Sequence, residues 1–124
     1  MPQEVLSRLD AKLRARIEER FDLDQDGFND LIGGMDLVYL PGCSAPKGPE
    51  AEAFKKVMDS YFVRRETLDR ARAEHGRTIY ITHTLPRREG EMDLSIDSTP
   101  NQLYFEAIGH SVSIRMALVA SILG

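Results

Sequence analysis

An α/β fold built on a small parallel sheet is what this 124-residue sequence predicts, and three observations carry the prediction. Two apolar runs, Leu37-Val38-Tyr39-Leu40 and Thr78-Ile79-Tyr80-Ile81-Thr82, have the length and the β-branched and aromatic content of interior parallel strands. Elsewhere, apolar residues return at three- and four-residue spacing, the period of a helix with one buried stripe. The two kinds of segment alternate, which is the order that helix-connected parallel strands impose.

The elements follow in order. Val5, Leu6, Leu9, Leu13, Ile17 and Phe21 predict an amphipathic helix from about Pro2 to Arg20, with Pro2 suited to its first turn. A polar stretch leads to a short helix through Phe28 to Ile32, closed by Gly33-Gly34. The strand Leu37–Leu40 then runs into "PGCSAPKGPE", a Pro/Gly-rich loop. Helices are expected over Ala51–Tyr61 and Glu66–Glu74, the second ended by Gly76. After the second strand comes an acidic loop. Thr99-Pro100 marks the entry of a last helix, broken around Gly109 and resuming through Ser113 to Leu123. The whole chain, 1–124, reads as a single domain.

Bulk properties exclude several functions. The net charge of −4 offers no electrostatic footprint for nucleic acid. A single Cys forms no internal disulfide, in keeping with a reducing cytoplasm. Met1 to Leu6 lack a basic, apolar leader, and "SIRMALVASILG" is far too short to span a bilayer. The expectation is a cytoplasmic protein with no membrane partner.

"FDLDQDGFNDLIGG" matches the first half of a calcium loop, with Asp22, Asp24, Asp26 and Gly27 at positions one, three, five and six. Such a loop needs a bidentate Glu at position twelve, where this chain has Gly33. The acids are better read as a solvated turn capping the next helix, and no metal is expected.

The second strand ends in a polar pentapeptide, His83-Thr84-Leu85-Pro86-Arg87. In open α/β sheets ligands gather beyond the carboxyl ends of strands, so this is a site candidate. Its rival is a plain strand-to-loop exit.

Several ordered pieces then converge. "MDLVYL", "HTLPR", "EMDLSIDSTPNQLYFEA", "IRMALVASIL" and "MPQEVLSRLDAK" together resemble the amino-acid-binding second domain of the aspartate/ornithine carbamoyltransferase family. The resemblance spans nearly the whole chain and implies a partial Rossmann-like parallel sheet flanked by helices, a truncated version of that domain. It implies that the Leu85-Pro86 bond is cis, that Thr84 and Leu85 present backbone oxygens to the carbamoyl group and amino acid, and that Arg87 orders the site. Arg115 matches the family's Arg on its final helix. The substrate-binding candidates are thus His83, Thr84, Leu85, Pro86, Arg87 and Arg115, toward an amino-acid-like small molecule, with no cofactor and no catalytic residue assigned. Plainer readings stand beside these: His83 as a hydrogen-bonded core histidine, Arg115 in a salt bridge to the acidic loop, Asp93 and Asp97 as loop-ordering acids.

Two departures matter. Nothing matches the family's carbamoyl-phosphate motifs, and where the family grips a carboxylate with Thr-Arg-x-Gln this chain has Pro41-Gly42-Cys43-Ser44. A guanidinium is the usual carboxylate clamp, so aspartate is in doubt as a substrate. Cys43 has no neighbouring base and reads as a packing residue. Two functions remain open. One is a subunit of a split carbamoyltransferase-like enzyme, completed by a partner chain that binds carbamoyl phosphate. The other is a non-catalytic, self-associating relic that serves as a binding or scaffold protein. Either way, two strands leave an open edge and an apolar face, so an oligomer is expected.

Overall fold

The computed structural model describes residues 3–88 and 90–124. Helix α1 (Gln3–Ser7) and helix α2 (Ala11–Arg14) are followed by α3 (Gln25–Gly33), strand β1 (Leu37–Leu40), α4 (Glu50–Ser60) and α5 (Arg65–His75). Strand β2 (Tyr80–His83), a 3₁₀ turn at Leu94–Ser98 and the long helix α6 (Tyr104–Leu123) complete the chain. The result is mixed α/β with a two-stranded parallel sheet, in which Leu37 lies opposite Tyr80 and Leu40 opposite His83.

The amino-terminal stripe does not form one helix from Pro2 to Arg20. Pro2 lies outside the described residues, and beyond it α1 and α2 are separate single-turn pieces. The carboxylate of Asp10 accepts from the Lys12 N–H at 2.8 Å and starts a new turn. Only Leu6 of the stripe is buried, while Val5, Leu13 and Phe21 are exposed. A short helix draws its stability from packing an apolar face, and here that packing is missing.

Helix α3 starts three residues earlier than its apolar pattern indicates, because Asp24 caps it: Oδ1 accepts from the Gly27 N–H at 2.8 Å. The acids of the calcium-like stretch therefore include a helix cap. Asp24→Ala is expected to cost about 1 kcal/mol, read by urea denaturation. Millimolar calcium should leave the melting temperature of the parent protein unchanged, since Gly33 supplies no ligand at position twelve. A calcium-induced rise would revive the metal reading.

Helices α3 and α5 pack together and share the core with the sheet, and α3 also packs against α4. The core beneath them holds Ile32, Val63, Leu68, Ala71, Ile79, Ile81, Met92, Ile96 and Tyr104, with Val38, Leu40 and Leu85 packed against it. The outer edge of β2 is occupied. Residues 101–103 run beside it, the Ile81 N–H donating to Asn101 O at 2.7 Å and the Leu103 N–H to Ile81 O at 2.8 Å. The buried Asn101 amide clamps this segment by donating to Ile79 O at 2.9 Å.

β1 is expected to be a buried strand, but none of its four residues is fully buried. Alternation along a strand sends Val38 and Leu40 inward and Leu37 and Tyr39 outward, where they are 54% and 58% exposed. Tyr80 joins them on the same open face.

Helix α6 also departs from expectation. It runs unbroken through Gly109 for 20 residues, because nothing lies within 4 Å of that glycine and the helix passes through it without a packing conflict. Only Tyr104 is buried. Counted from Tyr104 rather than Ser113, the apolar run is long and apolar enough to cross a membrane by length and composition. The length argument against a span therefore fails, although composition alone does not make one.

Candidate functional site

Because β1 and β2 are parallel, their carboxyl ends emerge side by side, and the loops after them meet. Gly42 sits at φ +75°, and a side chain there would stand 3.4 Å from Thr84 Oγ1 and 3.5 Å from the His83 ring. Those are ordinary contacts, so it is the backbone angle that favours glycine here. The Thr84 hydroxyl donates to Pro41 O at 2.7 Å, tying the two loops together. The Leu85-Pro86 bond is cis, and Leu85 sits at φ 45°. A left-handed Leu costs on the order of 1–3 kcal/mol and persists only where its surroundings fix it. The anchor is its own N–H, which donates to His83 Nδ1 at 2.8 Å. Among the described residues, neither the Thr84 nor the Leu85 carbonyl accepts a hydrogen bond.

His83 is buried and fully partnered. With Nδ1 accepting from Leu85, the ring proton must lie on Nε2, which contacts Glu91 Oε2 at 2.9 Å. The imidazole is thus neutral, and its contact with Glu91 is a hydrogen bond rather than an ion pair.

Glu91 is the centre of the arrangement, and sequence reasoning passed over it. Its side chain is 5% exposed. Oε2 also accepts from the Arg88 N–H at 2.8 Å, and Oε1 accepts from the Cys43 N–H at 3.0 Å. One carboxylate therefore joins the exit of β1, the end of β2 and the turn at Arg88. Burial pushes its pKa up, but the Arg88 and Cys43 amides and the His83 ring outweigh burial and hold it below the usual carboxylate range. The signal in the sequence was position: Glu91 immediately precedes Met92, which is buried.

Arg87 turns away from these groups. Both terminal nitrogens reach Asp97, with Nη2 to Oδ2 at 2.6 Å. The Tyr104 hydroxyl also donates to Asp97, and the guanidinium lies 5.2 Å from the centre of the Tyr104 ring. Burial raises the Asp97 pKa, but the bonds from Arg87 and Tyr104 prevail and leave it lowered. Burial, then the Asp97 contact, pushes the Tyr104 hydroxyl up. Arg87 is thus fixed as a brace between the pentapeptide and the start of α6. Asp93 likewise acts within the loop, accepting from the Ser95 N–H at 2.8 Å.

Arg115 is not brought to this group. It lies on α6 beside Val112, Met116, Val119 and Ala120, and among the described residues it makes no hydrogen bond or ion pair. Eleven residues of helix separate it from Tyr104, a rise of about 16 Å. Among the described residues, the salt bridge to the acidic loop does not form. Cys43, expected to pack, is exposed.

A cavity of about 230 Å³ opens beside Glu91, lined by Phe28, Leu40, Gly42, Cys43, Met58 and Tyr61. A larger cleft of about 810 Å³ lies between the carboxyl ends of α3 and α5. That cleft faces the amino ends of the strands, away from the pentapeptide, and its charged lining reads as a solvated surface.

Acid should weaken the assembly of groups around Glu91 and Asp97. Both pKa values lie below their ordinary 4.5 and 3.8, so their stabilising contribution is complete above pH 4.5. It is lost as pH falls toward and through the lower folded values. The melting temperature should be level from pH 8 to about pH 5 and fall below it. Glu91→Gln should flatten part of that fall; an identical acid profile would deny Glu91 its role.

No protein-family profile matches the chain, and no solved structure does. Curated proteins do. The ureidoglycine carbamoyltransferase of Rubrobacter xylanophilus is 66% identical over 123 residues, 99% of this chain and 36% of the relative. The aspartate carbamoyltransferase catalytic subunit of Methanopyrus kandleri is 33% identical over 125 residues, covering 100% and 37%. That of Hyperthermus butylicus is 34% identical over 121 residues, covering 90% and 37%. The chain spans little more than a third of the length of these relatives. By sequence the chain is homologous, along its whole length, to one part of ureidoglycine and aspartate carbamoyltransferases.

Proposed function

We propose that the chain forms the amino-acid-side half of a carbamoyltransferase-type active site and that a partner chain supplies the half that binds carbamoyl phosphate. The acceptor in this reading is a ureidoglycine-type amine rather than aspartate. The observation that carries it is the strand-end constellation, with the Thr84 and Leu85 carbonyls, unbonded among the described residues, beside Gly42-Cys43 where an aspartate-binding Arg would be expected. The higher identity to a ureidoglycine enzyme than to the aspartate enzymes supports the same choice.

In the transfer, the acceptor nitrogen bonds to the carbamoyl carbon and the carbon–oxygen bond to phosphate breaks. Phosphate leaves with that electron pair, and the amine gives up one proton. Stabilising a dianionic leaving group takes several preorganised donors. Arg87 is committed to Asp97, so these donors belong to the partner. The two-stranded sheet is, in this reading, part of a larger Rossmann-like sheet.

The test is co-purification of the partner from native lysate, then phosphate release from carbamoyl phosphate with ureidoglycine or aspartate. Preference for ureidoglycine is expected; faster turnover of aspartate would overturn the acceptor assignment. A second reading, a self-associating relic that binds or scaffolds, is favoured by the exposed apolar face of α6. It prevails if the chain captures only copies of itself and no pairing yields transfer.

A further inference from the structure

Glu91 uses three acceptor positions, yet an ionised carboxylate has about four. Oε2 takes two N–H donors, from His83 and Arg88, and Oε1 takes one, from Cys43. The remaining position is therefore on Oε1. That oxygen lies 3.7 Å from where a side chain on Gly42 would stand, so the absent side chain leaves room against it. Glu91 also lines the cavity of about 230 Å³, whose other walls are mainly Phe28, Leu40, Met58 and Tyr61. An apolar pocket holding one buried charged acceptor has the character of a selective small-molecule subsite.

The charge of Glu91 stays in place. It is surrounded by N–H donors, none of which requires it to be protonated, and the adjoining imidazole is neutral. A second carboxylate brought into this pocket meets like-charge repulsion in a poorly solvated space. A neutral N–H donor meets an acceptor position that no other described residue satisfies.

We infer that Glu91 is a specificity-determining residue of the acceptor subsite, its free Oε1 position reading a urea-type N–H and its charge rejecting a side-chain carboxylate. The inference rests on the acceptor reading given above and adds the atom that enforces it. It also accounts for the exchange of a carboxylate clamp for Pro41-Gly42-Cys43-Ser44. An Arg there would pair with Glu91, whereas Gly42 leaves the acceptor open.

Two probes of nearly equal shape separate the alternatives. N-carbamoylglycine and N-acetylglycine differ only in a terminal NH₂ against a CH₃. Calorimetric binding to the chain in its native complex should favour N-carbamoylglycine by about tenfold or more, the scale for a hydrogen bond to a buried charged acceptor. In Glu91→Gln the ratio should shrink to about twofold, because the carboxamide already meets three donors with only one acceptor oxygen. A ratio near one in the parent protein overturns the inference. So does an unchanged ratio in a folded Glu91→Gln protein. If that variant does not fold, the parent's ratio alone decides. Transfer to ureidoglycine without the probe preference removes only the role of Glu91; a preference without transfer in any pairing removes the transferase reading instead.

Discussion

Paired with a chain that binds carbamoyl phosphate, the protein is expected to release phosphate in the presence of acceptor, and alone it is expected to release none above background. The deficit is one of charge. A dianionic leaving group is stabilised by clustered cations and amide donors, and the Arg87 guanidinium has both terminal nitrogens on Asp97. In the paired enzyme, Arg87→Ala should still lower the rate by roughly a hundredfold, the cost of misplacing a reacting group by about an ångström. The cause is positional: Arg87 braces the cis turn at Pro86 against Asp97 and Tyr104. A double-mutant cycle tells this from direct stabilisation of phosphate. If Arg87 acts through Asp97, then Asp97→Ala slows the enzyme similarly and the double variant is no slower than either alone. Additive losses would return Arg87 to the reacting atoms.

What could be read in the sequence followed from local signals. β1, the helices α4 and α5 and the Gly76 stop depend on strand propensity, helical spacing and glycine chemistry within a few residues, whereas the cis turn is implied only by the family resemblance. The Asp24 cap was legible too, since it acts on an amide three residues away, whereas Thr99 does not start the last helix, which begins at Tyr104 with no side-chain cap. What stayed hidden depends on distant partners. Glu91 acquires its role from an amide 48 residues upstream, at Cys43. Arg87 reads as a charge that orders the site, but the sequence does not show that Asp97 and Tyr104 are the groups against it. Val5 through Phe21 has a helical stripe, but a stripe forms a stable helix only where another element covers it. The same reason exposes Leu37 and Tyr39, whose strand propensity says nothing about whether a second layer exists.

That missing layer sets the last expectation. Purified alone, the chain should form oligomers or precipitate, and its partner should convert it to a defined complex. Helix α6 is apolar almost all round, with Val112, Ile114, Met116, Leu118, Val119 and Ile122 exposed, and such a helix is stable in water only when covered. Burial of each of these side chains contributes on the order of 1.5–3 kcal/mol, so even partial coverage outweighs the freedom lost on association. The open face of Leu37, Tyr39 and Tyr80 and the outer edge of β1 add a second adhesive surface. Protein rather than lipid is the expected cover, since Glu106, His110 and Arg115 all lie within the helix. Met116→Lys with Val119→Lys should shift light scattering toward monomer and weaken partner capture together. A stable parent monomer at micromolar concentration would show that these faces need no cover, and flotation with liposomes would assign α6 to a membrane instead.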